Sequence, residues 1–303
     1  MALKDAGKRF NRLLARESLY LCSLIVGCLP RKWLYGFAQT IATMAYGIAV
    51  KQRHIALESL EVAFENRLTK QAKVTIARNC FQNMAKSGVE LLSILEAPQR
   101  AKGMVAIEGK CYLDQALLKG NGAIAVSAHF GNFPLALTKL RQEGYKVSVI
   151  LRKMRDDKVE DFLEKRRAMM GIHSIHSTPR QACVDNSLRA LRNNEVLFIQ
   201  LDQNFGTAGV FVDFFGRQAA TATGPAILAL RTQAPILPMF IVRQPSDTHT
   251  LMIEPEVSIE KKDTNDETIH AIIQRITSII ESYIQKYPQE WGWIHRRWKS
   301  RPH

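Results

Sequence analysis

The sequence predicts an α/β protein: a largely parallel mixed sheet covered by helices, with a membrane-associating helical region at the N-terminus. Short β-prone runs alternate with helix-like stretches from residue 105 onward, the pattern of strands joined by helical crossovers. The chain is 303 residues long with 46% apolar content and no long Pro/Gly/Ser linker, enough for one substantial core. Its first 50 residues hold two uncharged apolar runs. We therefore divide it into basic membrane-associating helices over residues 1–53 and an α/β domain over 54–303.

The apolar runs are Ser18 to Pro30, 13 residues, and Trp33 to Val50, 18 residues. The first is short for a membrane span and the second is at the lower limit. Gln39, Thr40 and Thr43 dilute the second, so helices that dip into or lie on the bilayer are expected, with room for one span. Trp33 and Tyr35 beside Arg31 and Lys32 have the character of interfacial anchors. The segment lacks the short n-region and cleavage site of a signal peptide.

Next, Val74, Ala77, Phe81, Met84, Val89 and Leu92 recur at helical spacing, which predicts one long amphipathic helix over Gln71 to Leu95, ending before Pro98. Strands are predicted at Val105 to Ile107, Ala123 to Val126, Val147 to Leu151, Val196 to Leu201 and Ile236 to Val242. The helices between them are Tyr112 to Lys119, Leu135 to Glu143, Val159 to Met170, Arg180 to Arg192 and Gly224 to Arg231. A last strand, Leu251 to Val257, precedes a closing helix over Thr268 to Lys286.

The net charge of +14 is concentrated at the ends. Residues 1–53 carry nine Lys/Arg against two acids, residues 291–303 carry four against none, and the 237 residues between contribute +3. Such placement suits an anionic membrane surface or an acidic carrier protein, and no helix-turn-helix, zinc-finger or aromatic RNA-binding pattern accompanies it, so no nucleic-acid partner is expected. Five scattered cysteines, Cys22, Cys28, Cys80, Cys111 and Cys183, without a CxxC pair, point away from a disulfide framework or a zinc site. His173 and His176 have no Glu, Asp or Cys beside them in sequence to complete a metal set. GxSxG, P-loop and GxGxxG patterns are absent.

Reactive groups of such a sheet gather beyond the carboxyl ends of its strands. His129 follows the strand Gly122 to Ser127, and Asp202 follows Val196 to Leu201, so both are candidates for one edge. Gly131 and Asn132 lead into a helix with Pro134 in its first turn, where free amides can hold a phosphate or a developing oxyanion. Arg152, at the end of Lys146 to Leu151, is placed to meet an anionic group.

Taken together, several segments resemble the late acyltransferases of bacterial lipid A biosynthesis, within the lysophospholipid acyltransferase superfamily. They are His129-Phe130-Gly131-Asn132, Asp202-Gln203-Asn204 and Gly209 to Gly216, Ala220-Thr221 with Gly224-Pro225-Ala226, and Pro235 to Pro238. Tyr287-Pro288 and Trp293 to Pro302 complete the set, which covers nearly the whole chain. The resemblance implies an enzyme at the cytoplasmic face of the bacterial inner membrane. It would transfer a fatty acyl group from an acyl carrier protein or CoA thioester to a lipid hydroxyl, most simply that of a lipid A precursor, with a lysophospholipid or aminolipid as alternative acceptors. No cofactor or metal is implied. His129 would take the acceptor's proton, Arg152 would match a substrate-binding arginine, and Arg296 and Arg297, with Lys299 and Arg301, would meet phosphate or the acidic carrier.

One departure matters. The resembled loop carries Glu or Asp five residues after the histidine, and Pro134 stands there. Proline can neither accept a side-chain hydrogen bond nor carry charge. The carboxylate then comes from another loop, Asp202 first and Asp213 second; or His129 works with water or a backbone carbonyl; or the chain binds lipid without catalysis.

Overall fold

The computed structural model describes residues 29–302 together with residues 17, 21–23 and 26. The first apolar run and the basic residues before it lie largely outside the described residues, as does Cys28. Helix α1 spans Arg31–Ile48, α2 Val50–Phe64 and α3 Lys70–Glu96. The Thr69 hydroxyl caps α3 by accepting the Ala72 N–H at 3.2 Å. α1 packs on α3 through Leu34, Ala38 and Ala42 and turns Trp33, Phe37, Ile41, Met44 and Ile48 outward as one exposed apolar stripe. Among the described residues no helix is long and apolar enough to cross a membrane. Residues 53 and 54 both lie inside α2.

The strands are β1 Val105–Glu108, β2 Ala123–Ser127, β3 Val147–Leu151, β4 Ile172–His176, β5 Val196–Gln200, β6 Val210–Phe214, β7 Arg217–Thr221, β8 Ile236–Arg243 and β9 His249–Ile253. Strands β6 and β7 pair as a separate antiparallel hairpin. The other seven form one sheet in the order β1-β9-β8-β2-β5-β3-β4. All neighbours in it are parallel except β8 and β9, whose antiparallel turn lets β9 and β1 run against the other five. Strands β2 and β8 are apolar along nearly their whole length, as strands buried on both faces require, and Ile124 of β2 is fully buried at the centre of the sheet.

Crossover helices cover the faces: α4 Lys110–Leu118, α5 Phe133–Gln142, α6 Asp157–Met169, α7 Arg180–Arg192 and α8 Gly224–Thr232. The closing helix α9, Asn265–Lys286, starts with a capping box in which Thr264 and Glu267 satisfy each other's backbone amides. Its Ile272, Ile273, Ile276, Ile280 and Ile284 enter the main core with β8 and the β6–β7 hairpin.

Some elements differ from the sequence reading. Helix α2 and the β6–β7 hairpin add to the expected set. β4 carries His173, Ser174 and His176 on an edge strand, and these polar residues fall on both of its faces, which removes the period-two signal. The last strand begins at His249, earlier than expected, because a turn in which the Gln244 and Thr248 backbones bond at 2.8 Å sends it directly back along β8.

Candidate active site

β2 and β5 are parallel neighbours with Ser127 opposite Gln200, and the Leu201 N–H continues the ladder by donating to the Ser127 carbonyl at 2.9 Å. Two residues past each paired end come His129 and Asp202, which the register therefore sets opposite each other. The Asp202 Oδ1 atom lies 2.8 Å from His129 Nδ1. Trp291 Nε1–H donates to the other oxygen, Oδ2, at 2.7 Å. Asp202 is fully buried while His129 keeps part of its ring exposed.

These contacts assign the tautomer. A carboxylate accepts, so Nδ1 carries the proton and the Nε2 lone pair faces outward, where the Gln203 side-chain amide donates to it at 3.1 Å. Burial opposes ionisation of Asp202, but the adjacent His129 and its hydrogen bond outweigh that, holding the carboxyl well below the usual carboxylate range. For His129, burial likewise disfavours the charged ring. The Asp202 charge and hydrogen bond prevail and raise its affinity for a proton.

The C-terminal segment closes over this pair. Phe130 and Trp291 form an antiparallel bridge, flanked by Gly131 N–H to the Glu290 carbonyl at 2.9 Å and Gly292 N–H to the His129 carbonyl at 2.9 Å. Gly131 has φ +57°, and a Cβ there would lie 2.0 Å from the Ile241 carbonyl oxygen, so no other residue fits without moving β8. His295 completes the cluster, its ring centre 4.8 Å from that of His129.

Asn132 caps α5, accepting the Leu135 N–H at 3.3 Å, and is buried. Its amide donates to Glu90 at 2.8 Å. Glu90 in turn takes a bidentate pair from Arg243 at 2.6 and 2.9 Å, so a neutralised buried carboxylate anchors the loop from behind. Gly131 and Asn132, read from sequence as substrate-binding, are thus placed with their polar groups turned into the protein. Pro134 occupies the second position of α5.

The predicted arginines separate. Arg297 is buried, donating to the Ala220 carbonyl at 2.6 Å and to the Thr221 hydroxyl, and burial brings the pKa of its guanidinium down to about 10. It fastens the C-terminal segment to β7. Arg296 is exposed on that segment, and Arg152 is exposed past the end of β3, next to β5. Asp213 sits in the hairpin, where its carboxylate accepts the Gly216 N–H at 3.1 Å.

Two clusters resemble cation sites. His129, Asp202 and His295 offer ligand atoms within 4.8 Å of one another, but both Asp202 oxygens are already engaged by N–H donors. The fold also brings Glu160 and Glu164 to His176, partners that are not adjacent in sequence, and Arg167 already bridges both carboxylates at 2.8 and 3.2 Å. Trp291, Gln203 and His295 were not singled out for this site by sequence reasoning; the aromatic and basic C-terminal motif was the available signal.

A carboxylate-aligned histidine thus stands just past the carboxyl ends of two neighbouring strands of a mostly parallel sheet, with one ring nitrogen able to accept a proton. The chain matches the family described as bacterial lipid A biosynthesis acyltransferase over residues 13–300, and it belongs to that family. It is 24% identical over 290 residues to the lipid A biosynthesis palmitoleoyltransferase of Escherichia coli K12, covering 90% of this chain and 87% of that protein. The lauroyltransferase of the same organism is 23% identical over 305 residues, 97% and 96% of the two chains. A phosphatidylinositol mannoside acyltransferase of Mycolicibacterium smegmatis is 24% identical over 188 residues, 62% and 60%. By family, the chain is an O-acyltransferase acting on lipid.

Replacing Asp202 with Asn removes the charge that outweighs burial at His129. NMR titration of the His129 ring is expected to show a pKa above that of free histidine in the wild type and a downward shift in Asp202→Asn. An unchanged titration would contradict the pairing.

Proposed function

We propose that His129, aligned by Asp202, is the general base that moves a fatty acyl group from a thioester of acyl carrier protein or CoA to a hydroxyl of a membrane lipid. The observation that carries this is the 2.8 Å contact between His129 Nδ1 and Asp202, which leaves Nε2 as the basic atom. The acceptor hydroxyl displaces Gln203 and gives its proton to Nε2 as its oxygen attacks the thioester carbonyl carbon. The carbonyl π pair moves onto oxygen, then returns as the C–S bond breaks. The thiolate leaves with the proton held by His129, so ester and thiol are the products. Asp202 orients the ring and favours the imidazolium, the task of the acid that Pro134 replaces in the resembled loop.

A lipid A precursor is our first acceptor, in keeping with the names of the Escherichia coli relatives. Similarity to a phosphatidylinositol mannoside acyltransferase keeps other lipid hydroxyls in view, lysophospholipids and aminolipids among them. Pro134 favours a second reading, a homologue that binds lipid without catalysis; the carboxylate on His129 weighs against it. We place the enzyme at the cytoplasmic face of the bacterial inner membrane. The outward stripe Trp33, Phe37, Ile41, Met44 and Ile48 supports docking to an anionic bilayer, with Lys32, Lys51 and Arg53 adjoining it in sequence.

Incubated with acyl carrier protein and CoA thioesters and a panel of lipid acceptors, the wild type is expected to form ester, and His129→Ala to lose at least about 100-fold in rate. Equal product from both proteins would remove His129 as the base. Sedimentation with anionic vesicles tests the docking face: Trp33→Glu combined with Phe37→Glu should leave more protein in the supernatant. Undiminished pelleting would refute this placement.

A further inference from the structure

We infer that His295 is a second catalytic imidazole, donating a hydrogen bond to the thioester carbonyl oxygen as it becomes the tetrahedral oxyanion. This rests on acyl transfer at His129.

Placement comes first. The two rings meet edge-on at 62° with centres 4.8 Å apart. In the tetrahedral intermediate the acceptor oxygen and the oxyanion sit on one carbon, closer together than a hydrogen-bond length. Two nitrogens that each reach about 2.8 Å to one of those oxygens can stand several ångströms apart, a spacing that neighbouring rings with centres 4.8 Å apart allow. His295 is only partly buried.

The position is built for the ring. Gly292 gives its N–H to the His129 carbonyl and offers the His295 ring a bare Cα; a Cβ there would come within 3.0 Å of His295 Nε2 and 3.2 Å of Cδ2. One residue therefore fixes the base loop and admits the second imidazole beside it.

The usual donors are also depleted. At the start of α5, where an oxyanion would be expected to bind, Gly131 N–H goes to Glu290, Pro134 has no N–H and Leu135 N–H is capped by Asn132, so of the first amides those of Asn132 and Phe133 remain. A side-chain donor would add to these where charge develops.

Its protonation suits that role. Burial pushes His295 below the ordinary histidine range and the neighbouring His129 adds to the effect, against the opposing pull of Asp202. A neutral imidazole can still donate one N–H, and it does not compete with His129 for the acceptor's proton.

The alternative is that His295 only fills space, and phenylalanine separates the two. Transfer to lipid and hydrolysis of the same thioester by water are measured for wild type, His295→Phe and His295→Gln, with thermal melting as the check on folding. If His295 is the donor, His295→Phe loses about 10²–10³ in kcat for both reactions with donor KM little changed. His295→Gln, which keeps an N–H, recovers much of that loss. A His295→Phe protein at wild-type rate, or a Gln variant no better than Phe, overturns the proposal while leaving acyl transfer intact. Should His295→Phe fail to fold, Gln against Ala reads the same difference. A wild type that neither transfers nor hydrolyses overturns the acyl-transfer reading itself, and the role of His295 with it.

Discussion

A carboxylate sealed from water is stable only when other groups compensate its charge, and Asp202 sits under that constraint. Removing one partner from a buried charge pair costs on the order of 3–5 kcal/mol. One oxygen of Asp202 is held by His129 and the other by Trp291, so the base loop and the C-terminal segment are tied to a single buried anion. The rest of the site follows from keeping that anion satisfied. Strand register brings His129 to it from β2, and the last residues of the chain must return across the sheet edge to supply the indole.

That return explains why the C-terminus is so densely packed. Trp291 and Trp293 are fully buried, their ring centres 4.7 Å apart, and Arg297 is buried beside them with its charge spread over backbone oxygens and a hydroxyl. Behind the loop, the Glu90 and Arg243 pair fixes Asn132 in the same manner, a second buried carboxylate with its cation supplied. His129 is thereby held from two sides by packed neighbours while part of its ring stays exposed, an arrangement suited to preorganised catalysis.

Much of this was legible in the sequence. Apolar runs marked the central strands, and helical spacing marked α3; His129 and Asp202 could be assigned to one edge because each follows such a run. The adjacency of β2 and β5 was not legible, since it depends on how the crossovers order the sheet and not on either strand. β4 was hidden because His173, Ser174 and His176 interrupt its apolar residues on both faces of an edge strand. The start of α9 was misplaced although Thr264 and Glu267 spell its capping box. Arg297 looked like a surface ligand because sequence carries no sign of the carbonyls that surround it. Gln203 and Trp291 touch the pair only through folding, one from the loop after β5 and the other from the far end of the chain.

The central proposal is that His129 and Asp202 act as one unit, with Asp202 at the end of β5 taking the task of the acid whose place Pro134 holds in the resembled loop. A double-mutant cycle on kcat measures this most directly, using His129→Ala, Asp202→Asn and the two together. Groups that function only through each other give non-additive losses, so the double variant should be no slower than His129→Ala alone. Losses that multiply would contradict the account, because they would mean that Asp202 serves catalysis by a route independent of His129.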